Sequence, residues 1–175
     1  MGRPKALLSV DGRTLLERTV ELARQVSQRV VLVGSPPFDL PAAVRGLPLL
    51  PDAKPDAGPL AGLAAALAEW NNDACILLAC DLPRLDAALL ARLAAQAETV
   101  ACDAAVPVTT APDRQQHPCC ALYRASARPA VDFALARGRY AIQPILAELR
   151  VHEIGLQGDE CHWVVNWNTP EDLMM

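Results

Sequence analysis

The chain has 175 residues, of which 52% are hydrophobic, and its formal net charge is -4. This length predicts one domain, residues 1–175, with enough apolar side chains for a full core. No run of basic residues is present, which argues against a nucleic-acid-binding protein, because phosphate contacts need clustered Lys and Arg. No stretch is apolar enough for a signal peptide or a membrane span, so we expect a cytoplasmic protein without a membrane partner.

Lysine and cysteine are both informative here. Lys5 and Lys54 are the two lysines of the chain, and each lies in a stretch typical of a phosphate-binding loop. A general preference for arginine would explain the scarcity of lysine equally well. The six cysteines form no C-x-x-C pair and several lie in apolar runs, so we expect buried, reduced thiols rather than disulfides or a zinc site.

In chain order, hydrophobic periodicity predicts alternating helices and strands. The predicted helices are 13–27, 60–70, 85–96, 126–135 and 142–149. The predicted strands are 30–33, 47–50, 74–79, 104–108, 119–123, 151–154 and 162–165. Asp11-Gly12 predicts a turn, and 109–116 a loop. The alternation indicates βα units, and therefore an α/β fold with a mainly parallel sheet.

The most informative stretch runs from Pro51 to Pro83, in the order loop, helix, strand and acid. Residues 74–79 are apolar without alternation, which indicates a strand covered on both faces. Asp81 follows that strand, at the carboxyl edge where open α/β sheets bind ligands. Gly58-Pro59 suits a helix start, whose free N–H groups favour an anion. A carboxylate near such a phosphate site suggests Mg²⁺ between them.

Each of these features also has a simpler structural interpretation. An Asp after a strand is often a turn residue or helix cap, and Gly-Pro often only marks a helix start. His117 either contacts a phosphate or has no functional contact. Asn166 and Asn168 either contact a metal or substrate, or cap a helix that starts at Thr169. No serine or cysteine has the partners of a covalent nucleophile.

Together these residues resemble the molybdenum cofactor guanylyltransferases, which are Rossmann-like nucleotidyltransferases. The matching segments, in the family's order, are 1–8, Asp11-Gly12, Asp52 with 58–62, 80–83, 117–118 with 121–123, and 166–173. The resemblance implies a three-layer Rossmann-like fold and transfer of GMP from GTP to molybdopterin or the molybdenum cofactor. It further implies Mg²⁺ dependence, release of pyrophosphate, and delivery partners among the molybdenum enzymes.

The resemblance also implies site residues. Lys5 would be a catalytic, phosphate-contacting lysine, Asp81 a catalytic metal ligand, and Asn168 a second metal ligand. The implied nucleotide-binding residues are Lys5, Asp52, Gly58, Pro59, Leu60, Gly62 and Asp81, and those for the pterin or substrate are His117 and Asn166. The substrate phosphate would itself attack the α-phosphorus, so the chemistry needs positioning and charge neutralisation rather than a protein nucleophile.

Two departures from the family pattern stand out. The family begins with a central strand and a glycine-rich loop, and this sequence begins at the Met-Gly that follows them. Burying about five apolar residues at roughly 2 kcal/mol each gives about 10 kcal/mol, comparable to the stability of a whole domain. We therefore expect Met1 to be an internal residue of a longer native protein. Val33 replaces the family's nucleotide-contacting Asn.

Two alternatives to guanylyl transfer remain open at this point. One is a neighbouring enzyme that transfers a cytidylyl group to the same pterin, or a nucleotidyl group to a sugar phosphate. The Gly-Arg-Pro-Lys opening, residues 2–5, also suits the cytidylyl relatives, whereas 80–83 and 168–170 favour the guanylyl side. The other is an inactive, truncated relative that acts as a binding module.

Overall fold

The computed structural model describes residues 4–54, 57–69, 74–110 and 113–167. Its helices are α1 (Leu15–Val26), α2 (Gly58–Glu69), α3 (Ala87–Thr99) and α4 (Arg128–Ala136). Its strands are β1 (Ser9–Val10), β2 (Arg13–Thr14), β3 (Leu32–Val33), β4 (Leu49–Leu50), β5 (Ala74–Leu78), β6 (Ala104–Thr109), β7 (Gln115–Gln116), β8 (Cys120–Arg124) and β9 (Val151–Leu156). Within these ranges, no helix has the length and apolarity to cross a membrane.

The main sheet has five strands and mixed strand directions. β8 pairs antiparallel with both β5 and β6, and β6 pairs antiparallel with β7 and parallel with β9. β3 and β4 form a separate parallel pair, and β1 and β2 a hairpin. The α/β prediction is confirmed, but the sheet is mixed where a mainly parallel one was expected. The short connection between β6 and β7 has no room for a crossover helix, so β7 and the following β8 both run antiparallel to β6.

β5 separates two hydrophobic cores. Cys75 and Leu77 pack into the core that contains α2 and α4, whereas Ile76 and Leu78 pack into the core that contains α3. The strand is therefore covered on both faces, as its unbroken apolar run predicted. Along the edge opposite β8 it pairs with none of the described strands, and its residues are only half-buried.

Helix starts follow the local sequence closely. Thr14 begins α1 with a capping box, in which its hydroxyl accepts from the backbone N–H of Glu17 while the Glu17 carboxylate accepts from that of Thr14. Gly58 begins α2 with a φ of 62°, a left-handed conformation that favours glycine, and Pro59 follows it. Asp11 and Gly12 also have positive φ, which confirms the predicted turn between β1 and β2.

Three sequence predictions need correction. The predicted strand 162–165 is wrong, because a 3-10 helix covers Gly158–Val164 after a capping box between Gln157 and Glu160. The predicted helix 142–149 is a 3-10 helix over Gln143–Glu148 rather than an α-helix. The predicted loop 109–116 contains β7. The helix start predicted at Thr169 lies outside the described residues. All six cysteines are free thiols, as expected.

Asp103 ties together the elements at one end of the sheet. It lies just before β6, is 8% exposed, and accepts a hydrogen bond from the Ser126 hydroxyl at 2.7 Å. It also accepts from the Arg150 backbone N–H at 2.9 Å and from the guanidinium of that residue at 2.7 and 3.0 Å. The Arg150 side-chain hydrogen bonds lower the pKa of Asp103 well below its usual value, against the opposing effect of burial.

The variant Asp103→Asn should lower the free energy of unfolding by about 2 kcal/mol at pH 7, because it removes charge-assisted hydrogen bonds to a buried group. The pKa of Asp103 is lower in the folded state than the value of about 3.9 for an unfolded chain. Its contribution is therefore present above that value and lost as the pH falls below it. Urea unfolding of both proteins across pH 3–7 should show the stability difference shrinking at the acid end.

The matched control is Asp132→Asn, which removes the same charge from an exposed ion pair with Arg128 on α4. Exposed pairs contribute little, so this variant should stay within about 0.5 kcal/mol of wild type. Equal losses in the two variants, or a difference independent of pH, would contradict the assigned role of Asp103.

Candidate active site

Lys5 and Asp81 meet at the carboxyl end of β5. Asp81 follows this strand, and Lys5 begins a short 3-10 helix that ends at Leu7. The Lys5 Nζ lies 3.8 Å from Asp81 Oδ2, with side chains 36% and 20% exposed. Two residues that the sequence placed in separate loops thus form an ion pair where open α/β sheets bind ligands.

One oxygen of the Asp81 carboxylate lacks a hydrogen-bond donor among the described residues. Its Oδ1 is buried, and it has no hydrogen-bond partner among the described residues. A buried carboxylate oxygen without a partner is costly, and a cation would satisfy it. Mg²⁺ usually binds through one or two carboxylates together with phosphates and waters. Among the described residues no cluster of three His, Cys, Asp or Glu side chains could hold a metal ion, so a Mg²⁺ ion at Asp81 would take its further ligands from other groups.

The backbone just before Asn168, the predicted second metal ligand, contacts Asp81. The backbone N–H of Trp167 donates to the Asp81 carbonyl at 2.9 Å. This contact brings the exposed Asn166 next to the Asp81 loop. Asn168 lies outside the described residues, so its role as a metal ligand stays a prediction.

Asp52 lies at the end of β4, against two glycines. A Cβ added to Gly34 would lie 3.5 Å from Asp52 Oδ2, and one added to Gly62 would lie 3.6 Å from Oδ1. The Gly62 Cβ would also lie 3.1 Å from Cγ1 of Val33, which is tighter than ordinary packing. The absence of a side chain at Gly62 therefore lets α2 approach the ends of β3 and β4. Asp52 consequently lies against the first turns of α2.

The start of α2 divides into exposed and buried residues. Gly58 and Pro59 are exposed, whereas Leu60 has no exposed surface and packs in the core. Of the predicted nucleotide contacts, Leu60 can therefore offer only its backbone, while Gly62 is buried against Val33 and Asp52. A helix start with free N–H groups remains suited to an anion.

His117 lies on the turn that leads into β8. Its Nε2 is 3.1 Å from the Thr109 hydroxyl oxygen, and burial lowers the pKa of its imidazole, so it is neutral at pH 7. Two residues later, the Cys119 carbonyl accepts from the Ala79 N–H at 2.7 Å. This hydrogen bond brings the His117 turn to the end of β5 that carries Asp81.

The cysteines near the site are poor nucleophiles. Burial raises the pKa of both the Cys80 and the Cys119 thiol, and the charge of Asp81 raises each further. Burial also raises the pKa of Cys75 and Cys120 to about 12. These four thiols are therefore protonated at neutral pH, and the thiolate is the nucleophilic form.

Sequence reasoning missed two contributors to the site. Trp167 holds the Asp81 loop through its backbone, and nothing in a side-chain pattern signals a backbone donor. The Tyr140 ring lies 4.9 Å from the Lys54 Nζ, and the Tyr140 carbonyl would lie 3.9 Å from a Cβ on Gly58. Tyr140 thus packs against the loop before α2, although the two are far apart in sequence.

Comparison with known proteins identifies the family of this chain. Residues 1–153 match the family model of the MobA-like NTP transferase domain. A probable molybdenum cofactor guanylyltransferase from Synechococcus elongatus is 36% identical, over 98% of this chain and 89% of that protein. The molybdenum cofactor guanylyltransferase of Xanthomonas euvesicatoria is 33% identical, over 98% and 84% respectively.

Solved structures show the same fold. The crystal structure of molybdopterin-guanine dinucleotide biosynthesis protein A from Archaeoglobus fulgidus has a TM-score of 0.79 and 26% identity, and covers 99% of this chain and 88% of that one. A 2-C-methyl-D-erythritol 4-phosphate cytidylyltransferase from Thermus thermophilus has a TM-score of 0.74 and 23% identity, and covers 98% of this chain and 91% of that one. At this identity the similarity shows the fold alone. The chain is therefore a nucleotidyltransferase and belongs to the MobA-like NTP transferase family.

Proposed function

We propose that this enzyme transfers GMP from GTP to molybdopterin or the molybdenum cofactor, with Mg²⁺, and releases pyrophosphate. The observation that carries the proposal is the pairing of Lys5 with Asp81, whose Oδ1 is buried without a described partner. The names of the relatives from Synechococcus and Xanthomonas support the choice of substrates.

In the proposed reaction, a phosphate oxygen of the pterin substrate forms a bond to the α-phosphorus of GTP. The bond from that phosphorus to the bridging oxygen of pyrophosphate breaks, so pyrophosphate carries away the electron pair. Lys5 would neutralise charge on the phosphoryl oxygens, and Asp81 would hold Mg²⁺, which supplies positive charge to the same oxygens when bound. Since the substrate supplies the nucleophile, the protonated thiols near Asp81 are no obstacle.

The remaining predicted contacts would bind the two substrates around this centre. Asp52 and the exposed start of α2 at Gly58 would contact the nucleotide, with backbone N–H groups toward phosphate. Because His117 is neutral and its Nε2 is engaged with Thr109, its other ring nitrogen would form the hydrogen bond to the pterin substrate. Asn166 would contact the same substrate from the segment that Trp167 holds against Asp81.

The variant Asp81→Asn should lower turnover of GTP with molybdopterin by at least about 100-fold, because removing one electrostatic contact to a transition state has effects of this size. Mg²⁺-dependent GTP binding should be lost, while binding in EDTA stays near wild type. Calorimetric titration in the two buffers measures this difference. Unchanged Mg²⁺-dependent binding in this variant would sink the metal role of Asp81.

The control variant is Asp86→Asn, five residues along, where the side chain caps α3 by accepting from the Ala88 N–H at 2.7 Å. Asparagine is also a good N-cap, so this variant should fold and turn over normally. Wild-type turnover excludes the binding-module alternative. If the wild-type chain shows no turnover at any Mg²⁺ concentration, catalysis by this chain on its own is excluded.

Base preference separates guanylyl from cytidylyl transfer. With Mg²⁺ and nucleotide at about 100 times its dissociation constant, GTP should stabilise the fold by about 2.7 kcal/mol, which corresponds to about 5–10 °C for a domain of this size. CTP at the same concentration should raise the melting temperature less, and a thermal-shift assay compares the two. A larger shift with CTP would favour the cytidylyl alternative.

A further inference from the structure

The Lys5–Asp81 ion pair places a cation at the carboxylate that the proposed metal ion would use. The ammonium lies 3.8 Å from Asp81 Oδ2, on the same carboxylate whose Oδ1 is buried without a described partner. Two cations at one carboxylate repel each other, because Coulomb repulsion rises as their separation falls. A divalent cation therefore binds at Asp81 more tightly once Lys5 has moved away.

We propose that Lys5 acts as a stand-in cation on Asp81, so that the enzyme without nucleotide binds divalent metal weakly. The nucleotide phosphates then attract Lys5 off the carboxylate and open Asp81 to the metal. Nucleotide and metal consequently bind with positive coupling, each favouring the state in which the ion pair is broken. This inference rests on the proposed function, since it assumes that Asp81 is the metal ligand.

The position of Lys5 suits such a switch, because its side chain is partly exposed. Lys5 lies on a 3-10 helix of three residues and keeps about a third of its side chain exposed. A lysine side chain has a flexible four-carbon stem, so its ammonium can leave Asp81 without moving the backbone. A polyphosphate carries more negative charge than one carboxylate and is the stronger partner. Lys54 is a poor substitute, since its ammonium lies over the Tyr140 ring.

The test compares the Mn²⁺ dissociation constants of wild type and Lys5→Met. Electron paramagnetic resonance measures the concentration of free Mn²⁺ in each titration. Without nucleotide, Lys5→Met should bind Mn²⁺ about two- to fivefold more tightly, the range expected from removing a partly exposed ion pair. In EDTA, the same variant should bind GTP about tenfold more weakly, because a charged hydrogen bond to phosphate is lost. A variant that merely unfolds would lose affinity for both ligands.

Lys54→Met is the matched control, because it removes the chain's other lysine and changes net charge equally. Its Mn²⁺ affinity should equal that of wild type. If both lysine variants bind Mn²⁺ more tightly by the same factor, the effect is one of net charge, and the inference is overturned. Mn²⁺ affinity unchanged in Lys5→Met but lost in Asp81→Asn would overturn the stand-in role while keeping the metal site. Wild-type affinity in Asp81→Asn would overturn both the inference and the proposed metal role.

Discussion

The packing of β5 between two cores fixes the position of the site. Successive side chains of a strand point to opposite faces, and here both faces are apolar. The backbone pairing with β8 sets the register, and it continues one step beyond the strand in the hydrogen bond from Ala79 to Cys119. The register of β5 therefore fixes the position of Asp81 at the edge of the sheet. Lys5, Trp167 and the His117 turn all come to that place from other parts of the chain.

Burial also decides which chemistry this edge can support. The thiols around Asp81 have raised pKa values, because a low-dielectric surrounding and a nearby carboxylate both disfavour a thiolate. Lys5 and Asp81, by contrast, form an ion pair whose side chains keep part of their surface in water. The result is an edge with fixed charges and without an activated nucleophile. Phosphoryl transfer between two substrates needs just such an arrangement of charges.

Local patterns predicted what depends on local physics. The helices over Leu15–Val26 and Gly58–Glu69 follow from apolar spacing. α1 begins two residues after the predicted residue 13, because Arg13–Thr14 forms β2, and α2 begins at Gly58, two residues before the predicted residue 60. Strand direction depends on pairing between distant residues, so the antiparallel neighbours of β8 could not be derived from its apolar run. The segment 162–165 has strand-like composition, but the capping box between Gln157 and Glu160 starts a helical turn upstream that continues through it.

The candidate site was predictable to the same extent. Asp81 was identifiable because a carboxylate after a buried strand lies at a ligand-binding edge, and Lys5 because lysine is scarce. That they face each other across 3.8 Å depends on how the first turn packs against the sheet, which no spacing encodes. Their pairing changes how both residues would bind a ligand, because each already has an ion-pair partner in the absence of a ligand. Ligand binding at this edge is then an exchange of partners, and its affinity depends on the ion pair it replaces as well as on new contacts.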